Sequence, residues 1–388
     1  MGAADVKFGS ENKNLSRIEG KMRINPYKNV KYQWAVYVVF FIFLACIPTI
    51  VGDDVFLLNQ LSTYGVYGIL ALSLSLCWGF GGILNLGQGI AFGLGSYGMA
   101  MTMQLQSQDI LEDRIPPFML NNAVETLPAI WEPFWNAGAG ISLALIIPTL
   151  FCLIFGGLMF WGRVSGPFFA IMTLAMLSAF YTIFIDLQYL TNGVNGITPP
   201  MALEVGPYLV DPYASISFWV VFAALLLCTV VAKLITQSKF GLIVQAQKSD
   251  PERTRFLGYN VALYETIIYA FSGLIAAIAG CCFAMLTQYV SPGQFDVGFS
   301  ISMVIWVAIG GRASLLWGML GAFMVQGAQS YLGDQFLSTW LLILGFFFIL
   351  VVRFLPGGLA GLVEVILDYF SSNSSGTKGS NSEPKQVD

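Results

Sequence analysis

The sequence predicts an all-α, polytopic membrane protein of about ten transmembrane helices with both ends on the inner side. Three observations carry this expectation: a charge-poor composition, a series of span-length apolar stretches, and a one-sided distribution of Lys and Arg. Hydrophobic residues make up 56% of the 388 and charged residues only 10%, with a mean hydropathy of +0.71. Soluble domains carry about 25% charged residues, so there are too few charges here to solvate a water-soluble body of this size.

A bilayer core about 30 Å thick needs about 20 apolar residues per helix. Residues 1–34 are polar and form an expected cytoplasmic segment. They are too long for the n-region of a signal peptide, and no small-residue cleavage pattern follows the first apolar run. The expected spans are 35–51, 56–78, 83–104, 139–161, 166–187, 214–234, 263–288, 297–311, 315–332 and 336–354. They are apolar all round, so length rather than an amphipathic stripe identifies them. The eighth is short and meets the ninth at Gly310-Gly311-Arg312, which leaves a full span and a broken or re-entrant element both open. An outer insert at about 105–138 carries Pro116, Pro117, Pro128 and Pro133 with Trp131 and Trp135, as expected of a small packed cap. The tail 366–388 is rich in Ser, Asn and Gly and is expected to be disordered. With the N-terminus inside and the spans alternating, every Lys and Arg of the 18 except Arg114 falls on the inner side. That is the positive-inside pattern, and dropping one span would scramble it.

What is missing narrows function. There is no histidine, which removes His-based metal sites, Ser-His-Asp triads and imidazole relays. The six cysteines lie in apolar stretches without a C-x-x-C, so neither a disulfide framework nor a metal site is expected. A net charge of −4 offers no basic surface for nucleic acid. No expected span holds an ionisable residue in its interior, whereas proton-coupled carriers and intramembrane proteases need such groups at bilayer depth. The chain has no P-loop, so it carries no ATPase site of its own, and no catalytic residue is expected. The G-x-G-x-x-G at Gly93, Gly95 and Gly98 lies inside an apolar span with no βαβ unit around it, and reads as close helix packing.

Two segments stand out. Gly79–Gly89 contains five glycines with Asn85 and Gln88. Glycine at this density weakens a helix by up to about 1 kcal/mol per site, which predicts a break or a close approach. Asn85 and Gln88 share a helix face, so their amides can either line a polar solute's path or hydrogen-bond between helices and glue the bundle. The second segment, 238–259, is the long inner loop. Its first half can form a short surface helix. Asp250-Pro251-Glu252-Arg253 then reads as a new helix start, with Asp as N-cap, Pro first and Glu in the first turn. A charged loop that anchors orientation explains the lysines. It explains less well the interleaved Leu242, Ile243, Val244, Phe256 and Leu257.

These residues carry a resemblance. Ser238-Lys239-Phe240-Gly241, Ala246-Gln247-Lys248-Ser249-Asp250 and Arg253–Gly258 resemble the ATPase-docking loop of permease subunits in ABC importers for branched-chain amino acids and urea. Gln247-Lys248 replaces that family's Ile-Arg. Gly82–Gly89, Gly273–Gly280, Met303–Arg312 and Phe354–Gly358 resemble further family motifs, over roughly residues 60–365. Trp131-Glu132-Pro133-Phe134-Trp135, Arg253–Tyr259 and Ile305–Arg312 are most similar to the urea-type second permease.

The resemblance implies an ABC importer permease fold over 35–365 in a bacterial inner membrane. It also implies a second homologous permease, two cytoplasmic ATPases that use ATP, and a periplasmic solute-binding protein, with no cofactor on this chain. The binding protein would deliver urea near the cap and the 188–213 loop. Candidate pathway residues are Asn85, Gln88, Thr173, Asn195 and Gln326. Candidate coupling residues are Phe240, Gly241, Gln245, Lys248, Asp250, Glu252, Arg253 and Arg255. The alternatives are a branched-chain amino acid permease of the same family and a stand-alone facilitator for small neutral solutes.

Overall fold

The computed structural model describes residues 30–52, 54–110, 115–200, 202–205 and 208–333, with 339, 342, 345, 346, 349, 350, 353 and 357–363. The expected tail, most of the N-terminal segment and most of the expected span 336–354 lie outside the described residues. The chain divides into two compact units, 1–52 and 53–388. In the first unit, α1 (Val30–Val51) exposes Val38, Val39, Ile42 and Phe43, as a lipid-facing helix does.

The second unit begins with α2 (Val55–Leu74). Asp54 caps it by accepting from the Leu57 amide at 3.1 Å, and it runs on into a π-helical turn, Ser75–Phe80. Residues 81–87 are irregular, and α3 (Gln88–Ile110) restarts the helix. After the cap comes α4 (Ala137–Trp161), started by the Asn136 side chain on the Gly138 and Ala139 amides. Then follow α5 (Pro167–Asp186) and a small antiparallel hairpin, β1 (Leu203–Val205) with β2 (Tyr208–Val210), Leu203 facing Val210. The remaining helices are α6 (Ser215–Gln237), α7 (Lys239–Ser249), α8 (Pro251–Phe256), α9 (Val261–Thr287), α10 (Val297–Gly310) and α11 (Leu315–Gly333).

The core forms around α9, which packs on α3, α4 and α2. Small residues make that closeness feasible. A Cβ at Gly95 would lie 2.6 Å from the Ala277 carbonyl oxygen, and one at Gly280 would strike the Phe92 carbonyl. The G-x-G-x-x-G is therefore a packing surface: Gly95 lies against α9, Gly98 against Ala144 of α4, and Gly93 against the Phe295 ring.

The described residues account for part of the expected ten spans. Among the described residues, six helices are long and apolar enough to cross a membrane, or seven if α10 and α11 form one broken span. α3 has span length, but glycines, serines and glutamines dilute its apolarity and it is not among the six. It also starts later than expected, at Gln88 rather than residue 83, because the glycine run does not stay helical. α10 and α11 meet at 118°, turning at Gly311, whose φ of +126° suits glycine.

Two ends of the second unit are distinct. At one end, Gln106 donates to the Glu204 carbonyl at 2.9 Å, Asn59 to the Pro212 carbonyl at 2.9 Å, and Ile197 bridges Val290. The cap lies next to α3 and α4 there, with Trp131 and Phe134 edge to face at 5.2 Å. At the other end the α7–α8 pair, the π-helical turn and Arg312 come together.

Candidate functional site

The five expected pathway residues do not form one site. Asn85, Gln88 and Thr173 meet around the helix break. The buried Gln88 amide donates to Ser73 Oγ at 2.8 Å, to Ser272 Oγ at 3.0 Å and to the Ser272 carbonyl at 3.1 Å, and its oxygen accepts from Asn85 Nδ2. Asn85 Oδ1 in turn accepts from the Gly87 amide at 2.9 Å. Thr173 Oγ1 accepts from the Leu86 amide at 3.2 Å, and Ser300 donates to the Leu86 carbonyl. Irregular backbone inside an apolar bundle must find such partners. α2, α5, α9 and α10 supply them, so these groups serve the break itself and tie the bundle together. Asn195 sits apart, exposed on the helical turn Gly193–Asn195.

Gln326 belongs to a different place. It lines a cleft of about 540 Å³ between the first half of α2 and the second half of α11, at the end opposite the α7–α8 pair. From α2 come Phe56, Asn59, Gln60, Thr63, Tyr64 and Tyr67, and from α11 Gln326, Gln329, Ser330 and Gly333. The spacing of both sets is i, i+3, i+4, i+7, so each is one helix face. Tyr64 Oη donates to Ser330 Oγ between the two helices. The lining is amides, hydroxyls and aromatic rings, with no charged residue among the described residues. Tyr67 forms the floor and packs on Trp306 at 5.2 Å, Phe283 at 6.1 Å and Phe299 at 6.3 Å; Phe92 extends this ring cluster against Phe283 and Phe299. Sequence reading named only Gln326 here. The polar stripe at helical spacing on α2 was the available signal, hidden by the high mean apolarity of the span.

At the opposite end, the 238–259 loop is the helix-turn-helix that the capping residues predicted. Ser238 Oγ accepts from the Gly241 amide at 3.2 Å and starts α7. Asp250 Oδ1 accepts from the Arg253 amide at 3.0 Å and starts α8, with Pro251 first. Asp250 also pairs with Arg253 at 2.9 Å and Glu252 with Arg255 at 3.9 Å, both well exposed and therefore weak.

The expected coupling residues divide into two sets. Phe240 packs on Tyr264 at 5.3 Å, and Gly241 lies where a Cβ would strike the Ile235 carbonyl, so both hold α7 in place. Gln245, Glu252 and Arg253 are exposed. Lys248 remains part exposed, and its ammonium donates to the Gly79 carbonyl of its own chain. Partial burial, then the nearby Arg312 charge, hold its pKa below the ordinary lysine value. Phe256 and Leu257 are 95% and 76% exposed, an apolar tip that the list of coupling residues omitted.

Comparison with known proteins agrees with this architecture. The family model described as "Branched-chain amino acid transport system / permease component" matches residues 56–352. The chain is similar to the probable branched-chain amino acid transport permease protein LivM of Methanocaldococcus jannaschii, with 21% identity over 76% of this chain and 90% of that one. It is similar to the high-affinity branched-chain amino acid permease protein LivM of Escherichia coli (strain K12), with 25% identity over 76% of this chain and 67% of that one. The corresponding LivH of Salmonella typhimurium is 23% identical over 79% of this chain and 95% of that one. No solved structure matches. These relatives are membrane permease components rather than enzymes, and the chain belongs to the branched-chain amino acid transport system permease component family.

Proposed function

We propose that this multi-pass inner-membrane protein, the permease component of an ABC importer, carries small amphipathic amino acids of the branched-chain type. The carrying observation is the α2–α11 cleft: about 540 Å³, its described lining uncharged, with amides and hydroxyls beside Phe56, Tyr64 and Tyr67. That volume is in the range of small-molecule sites and far exceeds what a solute as small as urea fills. Mixed aromatic and amide walls suit a solute with one apolar and one polar end. The relatives named above are all named for branched-chain amino acids. The urea reading suggested by sequence wording around Trp131 and Ile305 has no such support, and the amino acid reading replaces it.

In this account the α7–α8 pair faces the cytoplasm and docks on an ATPase subunit through Phe256 and Leu257. A second homologous permease completes the pathway, an expectation supported by relatives of both the LivM and LivH kinds. A binding protein delivers solute at the cleft end. The chain binds no cofactor, and ATP is used by the partners. Energy is supplied by them: among the described residues the acidic and basic groups within span helices, such as Lys233 of α6 and Glu265 of α9, stand near helix ends rather than at mid-span.

The test is uptake of labelled leucine by the complete importer in proteoliposomes. Competition by valine and isoleucine but not by urea supports the reading. Competition by urea alone overturns it. Leucine passage through the isolated chain without ATP would favour a facilitator instead.

A further inference from the structure

We propose that Lys248 is a latch tying the docking helix α7 to the broken end of α2, so that motion of the α7–α8 pair reaches the helix break through this side chain. The proposal rests on the importer reading above and adds how force enters the bundle. The last carbonyls of a helix lack partners within it, and a cation there is favoured by the helix dipole. Gly79 sits in the π-helical turn that ends α2, and its carbonyl accepts from the Lys248 ammonium. The lysine stem lies over Gly82, where a Cβ would come within 2.7 Å of Lys248 Cγ and where φ is +74°. Gly82 therefore permits the left-handed turn and clears room for the stem.

The α2 end is held from its other side as well. A Cβ at Gly79 would strike the Arg312 carbonyl, and the Arg312 guanidinium stands 5.6 Å from the centre of the Trp78 ring. Gly79 is thus clamped between α7 and the α10–α11 connection. Beyond it, residues 81–87 lead to Asn85 and Gln88, bonded to α2 and α9. Displacing α7 through Lys248 moves the short segment on which that network hangs.

Beside Lys248, Gln247 is buried with neither amide atom hydrogen-bonded among the described residues. A buried unpaired amide is unfavourable, so α7 holds this seat at a cost. A contact that is made and broken in each transport cycle has that character.

The experiment uses the complete importer in proteoliposomes, reading ATPase co-purification, ATP hydrolysis, leucine uptake and melting temperature. Lys248→Met is expected to keep the ATPases bound, hydrolyse ATP and melt like wild type, while uptake per ATP falls roughly tenfold, an ordinary size for a coupling effect. Lys248→Arg, which keeps the cation, is expected to restore most of it. Gly82→Ala, which displaces the lysine stem, is expected to mimic Lys248→Met, and Lys248→Gln serves if the Met variant does not accumulate. Wild-type uptake per ATP in Lys248→Met overturns the latch. So does loss of the ATPases, which would make Lys248 a docking contact. A wild-type chain that co-purifies with no ATPase overturns the importer reading itself, before any variant is made.

Discussion

Replacing Gln88 by Met separates structural glue from solute contact, because the side chain keeps its length and loses only its amide. In the structure that amide makes three donor contacts, to Ser73 Oγ and to both oxygens of Ser272, and accepts from Asn85. Hydrogen bonds between membrane helices average about 0.6 kcal/mol each, and a buried amide nitrogen left without a partner, as Asn85 Nδ2 would be, costs about 1–3 kcal/mol. The sum is roughly 3–5 kcal/mol. Ser272 would still donate to the Ser73 carbonyl at 2.8 Å, which favours the lower half of that range. At about 2–4 °C per kcal/mol for large domains, melting should fall by roughly 6–16 °C. The assay is thermal melting of the detergent-purified chain beside the half-saturating leucine concentration of the importer. Gln88→Met should lower melting and leave half-saturation unchanged. An unchanged melting temperature with weakened solute recognition would refute the assignment and return Gln88 to the pathway.

Other variants address the remaining parts. Gln326→Met in the cleft should do the opposite of Gln88→Met: losing an amide contact of about 1 kcal/mol should raise half-saturation roughly fivefold with little change in melting. Phe256→Asp should leave folding intact, since that side chain is 95% exposed, yet abolish ATPase co-purification. Asp250→Ala removes the α8 cap, costs about 1 kcal/mol locally, and should weaken co-purification less than Phe256→Asp does. Gly280→Val forces a side chain onto the Phe92 carbonyl and should sharply reduce accumulation in the membrane, read by quantitative immunoblot.

Legibility followed the physics of each segment. The first, second, fourth, fifth, sixth and seventh expected spans match α1, α2, α4, α5, α6 and α9, because an all-apolar stretch of span length has few other solutions. The α7–α8 turn was readable because Ser238 and Asp250 cap through their own backbone neighbours, a purely local interaction. The break after α2 was readable as weakness from its glycines. Its start at Gly81 and end at Gln88 were not, because Thr173 and Ser300, distant in sequence, stabilise it. The cleft was missed for the same reason: it exists only where two stripes, on α2 and α11, face each other. The bond that Lys248 makes within the chain was not legible, because a loop lysine is usually solvated. Nothing local says that the Gly79 carbonyl lies within its reach.

The central claim is that this chain is an uncharged conduit worked by ATP hydrolysed on its partners. It is tested most directly by leucine accumulation in proteoliposomes holding the assembled importer, with ATP and a proton gradient supplied separately. Accumulation with ATP alone, lost in Phe256→Asp, is the predicted result. Accumulation on the proton gradient alone, indifferent to Phe256→Asp, would contradict the account.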